Sequence, residues 1–223
     1  MIECLSCGRR QAPRLICADC GTPLSASLDC FAALGLPRKL SIDLAALERG
    51  YHELSRKIHP DRFASRSIAI RDASLRATAL LTRSYRTLRD PAARGLYWLE
   101  LIGEKLAENN KRVPPELADL VFEVQEQLAG MHDAPADSDS ARGLAAEVVT
   151  RRGELQATMD ETIAELQRNF IRWDQSSPQV LGKVPGKDHQ MLTMELKAIL
   201  SKVAYIRTLI RDVDRALENS KAA

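Results

Sequence analysis

The sequence predicts an all-α protein with a metal-binding N-terminal segment (a zinc knuckle), a helical hairpin and a C-terminal bundle of three helices. Aromatic residues make up only 4% of the 223 residues, whereas Ala, Leu, Arg and Glu, which favour helices, are abundant. Apolar residues recur at spacings of three and four over several long stretches, as in helices with one buried face. We therefore expect three parts, residues 1–24, 28–102 and 113–219.

Two pairs of cysteines near the N-terminus form a strong metal-binding pattern. Two residues separate Cys4 from Cys7, and two separate Cys17 from Cys20. Such spacing lets two tight turns each offer two thiolates, which together complete a tetrahedral site. We expect Zn2+, with iron as the alternative, in a structural role, because four protein ligands leave no open position. Cys30 stands apart in an apolar context and is expected to be a buried core residue.

A charged helix is predicted over residues 44–58, and it ends abruptly. Its apolar stripe consists of Leu44, Leu47, Tyr51, Leu54 and Ile58. Pro60 disfavours helical geometry at His59 and cannot donate a backbone hydrogen bond. The helix therefore ends in a short turn that presents His59 and Asp61. Basic residues lie on the exposed face of the helix and just after the turn: Arg49, Arg56, Lys57 and Arg62.

Four more helices are predicted beyond this turn. One runs over about 66–88 and stops before Pro91, and three longer ones follow over about 115–130, 141–174 and 188–218. Their stripes are Leu117, Val121, Val124 and Leu128 in the first long helix; Val148, Leu155, Met159, Leu166, Phe170 and Trp173 in the second; and Leu192, Leu196, Ile199, Val203, Ile206, Ile210, Val213 and Leu217 in the third. The last stripe alternates fours and threes, which is typical of helix-on-helix packing in a bundle. A polar, turn-rich linker at residues 132–140 and a loop at residues 176–187 separate the three.

Charge is distributed unevenly along the chain. Residues 40–99 carry eleven Arg or Lys against six acids, and residues 100–139 carry three against ten. Two faces of opposite sign indicate two different partners. No stretch approaches the ~18 apolar residues that a membrane span needs. Because the first 25 residues lack a secretory core or a transit pattern, we expect a cytoplasmic protein that does not bind membranes.

A second motif follows the His59 turn in the sequence. Residues 84–100 read SYRTLRDPAARGLYWLE, and the positions that matter are Tyr85, Leu88, Asp90, Pro91, Arg94 and Tyr97. Together with a His-Pro-Asp turn between two antiparallel helices, this pattern resembles the J-domain. Residues 29–65, DCFAALGLPRKLSIDLAALERGYHELSRKIHPDRFAS, resemble the start of the HscB family of iron–sulfur cluster co-chaperones. An N-terminal tetracysteine segment is a known variant of that family, and Arg62 replaces its usual lysine.

The resemblance implies two partners. It implies that His59, Pro60 and Asp61, with the basic residues around them, dock on a chaperone of the DnaK or HscA type and promote its ATP hydrolysis. It also implies that the C-terminal bundle binds an IscU-type scaffold for iron–sulfur clusters. The matching scaffold-binding positions are Phe122, Glu123, Glu126 and Tyr205. Phe122 lies about 100° around its helix from Val121 and so falls off the apolar stripe, although packing under a neighbouring loop is the alternative.

Other functions are weighed against this one. A J-domain adaptor for a different client would keep the His59 turn and change only the bundle. An enzyme is not expected, since the cysteines pair as closed ligands and no Ser/His/Asp or Cys/His set gathers elsewhere; no catalytic residue is assigned. A nucleic-acid module would rest on the seven arginines of residues 66–94. Little aromatic interleaving accompanies them, so a solvated helix face is the better interpretation, and no nucleic-acid partner is expected.

Overall fold

The computed structural model describes residues 1–106, 113–134, 138–176 and 187–222. Over these residues the chain forms seven α-helices and one short two-stranded sheet, which confirms the predicted all-α fold. It divides into two compact units, Met1–Tyr97 and Trp98–Ala223. Within the described ranges no helix has the length and apolar character that a membrane crossing requires. The middle of the linker at 132–140 and most of the loop at 176–187 lie outside these ranges.

The N-terminal segment contains short strands that the sequence analysis did not predict. Strand β1, Ile2–Glu3, pairs antiparallel with β2, Arg10–Gln11. An isolated antiparallel bridge joins Ile16 to Pro23 further along. The two pairings fold the segment into two tight loops, and each loop carries one pair of cysteines. A small core of Cys4, Cys17 and Leu24 lies between them, with Ile2 packed against it.

Helices α1 (Cys30–Ala33), α2 (Leu44–Ile58) and α3 (Ile68–Arg89) form the core of the first unit. The carboxylate of Asp43 caps α2, because its Oδ1 accepts hydrogen bonds from the amides of the next turn at 2.9 and 3.0 Å. The stripe of α2 faces α3, with Leu47 and Ile58 buried. Leu44 is the exception, since this first residue of the helix is 44% exposed. Cys30 is buried, as expected.

Helix α4, Pro91–Leu101, was not predicted as a separate element. In the sequence, Pro91 marks only the predicted end of the preceding helix. Proline is also favoured as the first residue of a helix, where its missing N–H would have no partner in any case. Asp90 completes the start of α4, because its Oδ1 accepts a hydrogen bond from the amide of Ala93 at 2.9 Å.

Helices α5 (Ala118–Asp133), α6 (Asp139–Ser176) and α7 (Lys187–Ala222) form the C-terminal bundle, which confirms the predicted three-helix layout. Every predicted stripe residue of α6 is buried, and so are six of α7: Leu192, Leu196, Ile199, Val203, Ile206 and Val213. Ile210 and Leu217 pack half-buried against the same core. The preceding Leu117 and the Val124 of α5 are buried as well. The bundle therefore derives its stability mainly from apolar burial along three helix faces.

Asp29 makes the first unit sensitive to acid. Its carboxylate accepts hydrogen bonds from the amide of Ala32 and from Nε of Arg38, both at 2.8 Å. Burial raises the pKa of Asp29, but these hydrogen bonds and the Arg38 charge outweigh it, so the net pKa is lowered. The stabilisation is therefore complete above the unfolded pKa of ~3.9 and is lost as the pH falls through the lower, folded pKa.

We expect Asp29→Asn to lower the free energy of unfolding by ~0.5–1 kcal/mol at neutral pH, because the charge-assisted bonds to Arg38 are weakened. Below the folded pKa the variant and the wild type should converge. Urea unfolding at neutral and acid pH measures both effects. Asp72→Asn is the control, since Asp72 forms only an exposed pair with Arg76 at 2.8 Å. A difference between Asp29→Asn and wild type that does not change with pH would contradict this account.

Candidate docking and metal-binding sites

The four paired cysteines converge on one point. Their sulfurs all lie within 4.8 Å of one another. The Sγ atoms of Cys4 and Cys20 are 3.5 Å apart, and those of Cys7 and Cys17 are 3.7 Å apart. Tetrahedral sulfur ligands at ~2.3 Å from a zinc ion lie ~3.8 Å from one another, so the spacing fits. The four cysteines are therefore positioned to bind a metal ion.

Two loops of the same design hold these cysteines, and we call them the first knuckle (residues 4–9) and the second knuckle (residues 17–22). In each, a glycine amide donates to the carbonyl of the leading cysteine, at 2.9 Å for Gly8 and 3.1 Å for Gly21. Both glycines have a φ of 70°, in the left-handed region that other residues rarely adopt. The glycine after each cysteine pair is thus a geometric requirement of the turn.

The acidity of the thiols is uneven. The backbone amide of Cys20 lowers the pKa of Cys17 to about 6, despite the opposing effect of burial. Nε2 of Gln11 adds a hydrogen bond to the Cys17 sulfur at 3.0 Å. The Arg9 amide lowers the pKa of Cys7, but burial and the neighbouring thiols outweigh it. The net pKa of Cys7 is therefore raised, to about 12. Four thiols this close cannot all ionise unless a cation lies among them, as expected of ligands to one metal ion.

The His59 turn lies at the surface, where the sequence placed it. Helix α2 ends at Ile58, and the chain continues as a short 3-10 turn, Pro60–Phe63. The side chains of His59 and Asp61 are 54% and 89% exposed. The amide of Asp61 donates to Nδ1 of His59 at 3.4 Å, a weak bond that leaves both side chains accessible.

Sequence reasoning missed the residue that anchors this turn. The buried hydroxyl of Ser74, on α3, donates to the carbonyl of Ile58 at 2.6 Å. Carbonyls in the last turn of a helix lack a partner within the helix, so Ser74 satisfies one of the carbonyls that the end of α2 leaves open. Its position on the buried face of α3, between Ala73 and Ala77, was the available signal. The exposed turn is therefore attached to a rigid neighbouring helix.

The basic residues around the turn are all exposed: Arg49, Arg56, Lys57 and Arg62. The face of α2 is not purely basic, because Lys57 pairs with Oε1 of Glu53 at 2.5 Å. Hydrogen bonding to Lys57 lowers the pKa of Glu53, so this carboxylate stays charged at neutral pH. Arg49 and Arg56, seven residues apart, lie on one side of the helix.

The candidate residues of the bundle fall into two environments. Phe122 is 69% exposed, so it does not pack under a neighbouring part of the described chain. Glu126 is exposed beside it. An oxygen of Glu123 pairs with Arg151 of α6 at 2.9 Å. Tyr205 is half-buried and packs against the core that α5, α6 and α7 share. Phe122 is therefore an exposed aromatic ring near two carboxylates, and its exposure is compatible with contact to another protein.

Comparisons with known proteins give a consistent result. A scan against protein-family models finds no match. The chain is similar to a co-chaperone protein HscB homologue of Chromobacterium violaceum, with 35% identity over 139 residues, which cover 62% of this chain and 76% of that protein. It is also similar to an iron–sulfur cluster co-chaperone protein HscB homologue of Arabidopsis thaliana, with 31% identity over 133 residues, covering 59% and 52% of the two chains.

The fold points the same way. The crystal structure of the human co-chaperone protein HscB matches 95% of this chain and 96% of its own, with a TM-score of 0.66 and 25% identity. Sequence similarity over most of a relative's length and structural similarity over nearly the whole chain lead to one assignment. The chain belongs to the HscB family of co-chaperones.

Proposed function

We propose that this co-chaperone of iron–sulfur cluster assembly stimulates the ATPase of a DnaK- or HscA-type chaperone and delivers an IscU-type scaffold to it, in the cytoplasm. The observation that carries the proposal is the exposed His59-Pro60-Asp61 turn, anchored by Ser74 at the exit of α2. ATP hydrolysis by the purified chaperone, with and without this chain, tests it. A J-domain adaptor for a different client would share the turn, and only scaffold binding distinguishes the two.

The turn suits a docking role for physical reasons. Pro60 restricts the backbone, so little conformational entropy is lost on binding. Asp61 offers a carboxylate that can pair with an arginine of the chaperone, and such a charge-assisted bond is strong when partly desolvated. The cations at Arg49, Arg56 and Arg62 steer an acidic surface into the correct orientation. This chain contributes no catalytic group, because the ATPase site belongs to its partner.

The metal in the proposal is a structural Zn2+ held by Cys4, Cys7, Cys17 and Cys20. Four thiolates suit zinc, and the sulfur spacing fits its bond lengths. A divalent ion would neutralise much of the thiolate charge and tie the first knuckle to the second. Cys4 and Cys17 are already buried in the small core of this segment, so binding requires little rearrangement.

The scaffold is proposed to bind the bundle through Phe122, Glu123, Glu126 and Tyr205. We expect Phe122→Ala to weaken scaffold binding by ~1–3 kcal/mol, the range of a moderate to strong hot spot, because the exposed ring would be buried in the complex. Tyr205→Ala should weaken binding by a similar amount and should also cost stability, since its ring packs against the bundle core. Calorimetric titration of the purified scaffold measures the affinity, and circular dichroism monitors the fold.

Ile171→Ala is the matched control for Phe122→Ala. Ile171 is also large, apolar and exposed (49%), but it lies on α6, which carries none of the four proposed scaffold-binding residues. Its truncation should leave the affinity for the scaffold unchanged. Wild-type affinity in both Phe122→Ala and Tyr205→Ala would show that the bundle uses another face. Stimulation of the chaperone in the absence of scaffold should survive all three changes.

A further inference from the structure

A groove connects the metal segment with the residues that follow the His59 turn. It encloses about 570 Å³ and lies within the compact unit Met1–Tyr97. We call it the knuckle groove. One wall is the second knuckle with the preceding residue, and the other is the end of α2 with the chain up to the start of α3. The lining residues that determine its character are Ile16, Cys20, Lys57, Arg62 and Arg66.

The charge of the groove is one-sided. Three cations line it, and no Asp or Glu is among its lining residues. Lys57 is already paired with Glu53, which leaves Arg62 and Arg66 to attract a ligand. A metal bound by four thiolates is itself negative and places negative charge on the wall at Cys20. A bound carboxylate would therefore lie against the two arginines, away from the sulfur.

The first knuckle also contacts one of these walls. Nη2 of Arg66 lies 3.3 Å from the hydroxyl of Ser6, which belongs to the first knuckle. The second knuckle forms the opposite wall through Ile16, Cys20 and the residues after it. The first knuckle thus contacts the stretch just after the turn, and the second knuckle faces that stretch across the groove. A metal ion that holds the knuckles together would also hold the groove open.

We propose that the knuckle groove binds an acidic, extended segment of the DnaK-type chaperone, so that the metal segment is part of the docking surface. The inference rests on the proposed function and extends it to residues outside the His59 turn. Arg62 belongs both to the turn, Pro60–Phe63, and to the groove lining. A chaperone surface that contacts His59 therefore continues into the groove. Electrostatic complementarity determines the occupant, because the positive charges of Arg62 and Arg66 attract carboxylates.

The experiment uses the full, metal-loaded chain. It measures the concentration of this chain that gives half-maximal stimulation of the purified chaperone's ATPase, which we call the half-saturating concentration. Arg66→Glu should raise the half-saturating concentration about tenfold or more and leave the maximal rate unchanged, because charge reversal repels the acidic segment. Ile16→Glu, on the metal-bearing wall, should raise it about threefold or more, because its carboxylate competes for the same arginines. Metal content and circular dichroism show that both variants are folded.

Arg83→Glu is the charge-matched control. Arg66 lies just before the start of α3, whereas Arg83 lies about 22 Å along that helix from its first residue. The Arg83→Glu variant should therefore behave as wild type. The groove proposal would be wrong if both groove variants had the half-saturating concentration of the wild type while His59→Gln lost stimulation. The proposed function would be unaffected by that result. If Arg66→Glu raised the half-saturating concentration and Ile16→Glu did not, the metal segment would not be part of the docking surface. Full stimulation by His59→Gln would instead refute the proposed function.

Discussion

His59→Gln is expected to abolish stimulation of the chaperone's ATPase while leaving helicity and thermal stability nearly unchanged. The imidazole is 54% exposed at the surface of the turn, so its loss removes no core packing. Nδ1 of His59 accepts a long 3.4 Å bond from the Asp61 amide and lies 3.4 Å from a carboxylate oxygen of Asp61, and loss of these weak contacts costs little. Glutamine keeps a polar side chain of similar length but cannot provide the aromatic ring or its protonated form. Single-turnover ATP hydrolysis by the chaperone measures the effect.

A matched control lies seven residues, or about two helix turns, earlier. His52 is also an exposed histidine of the same unit, 62% exposed and 4.0 Å from a carboxylate oxygen of Glu48. His52→Gln makes the same chemical change on α2 but away from the turn, and it should retain stimulation. Undiminished stimulation by His59→Gln would remove the J-domain function from this chain. Reduced helicity in that variant would mean that His59 supports the fold, contrary to its exposure.

Removal of the metal is the second large effect. Protein purified without added metal should contain about one zinc ion per chain. Cys17→Ser should release it, because the change removes one of the four clustered sulfur ligands and replaces it with a hydroxyl that binds zinc poorly. The metal-binding free energy of a structural zinc site is ~10 kcal/mol or more, so a segment this small should loosen over residues 1–24. Elemental analysis and hydrogen exchange measure the two consequences.

The helices should respond much less than the metal segment. Their cores consist of residues such as Leu47, Leu81 and Leu88, which are buried independently of the cysteines. Cys30→Ala is the control, since Cys30 is buried outside the cluster and its removal should leave the metal content unchanged. Absence of both zinc and iron from the wild type would refute the metal site. Iron alone would change the identity of the metal and indicate a redox role.

Local pattern was sufficient to predict most of the fold. A helix buries residues three and four apart, so the stripes of α6 and α7 are visible in the sequence before any partner is known. The exception at Leu44 shows the limit, because the pattern extends to a helix end whose side chain remains 44% exposed. Helix α4 shows another limit. The same proline ends one helix and begins the next, and only the cap by Asp90 makes the second helix evident.

Some features of the candidate sites follow from local sequence, and others depend on tertiary packing. The cysteine pairs are recognisable because each pair is local, and metal geometry requires only that two such pairs meet. The exposed His59 turn follows from Pro60 by sterics alone. The bond from Ser74 to the carbonyl of Ile58 joins residues that are 16 apart in the chain. No local pattern identifies that pair, because the bond exists only once α3 packs beside α2.

The sequence by itself determined the helical periods, the ligand pairs and the helix-ending proline, because each depends on spacing within a few residues. The tertiary structure decided which side chains are accessible. Tyr205 is not part of the apolar stripe predicted for α7, yet it packs half-buried against a core built from three helices. Arg66 looked like one more solvated arginine, yet it lies 3.3 Å from Ser6 of the metal segment, 60 residues away in the chain. The burial of a side chain and its distance from other charges depend on which distant segments pack together. The spacing of residues along the chain does not contain that information.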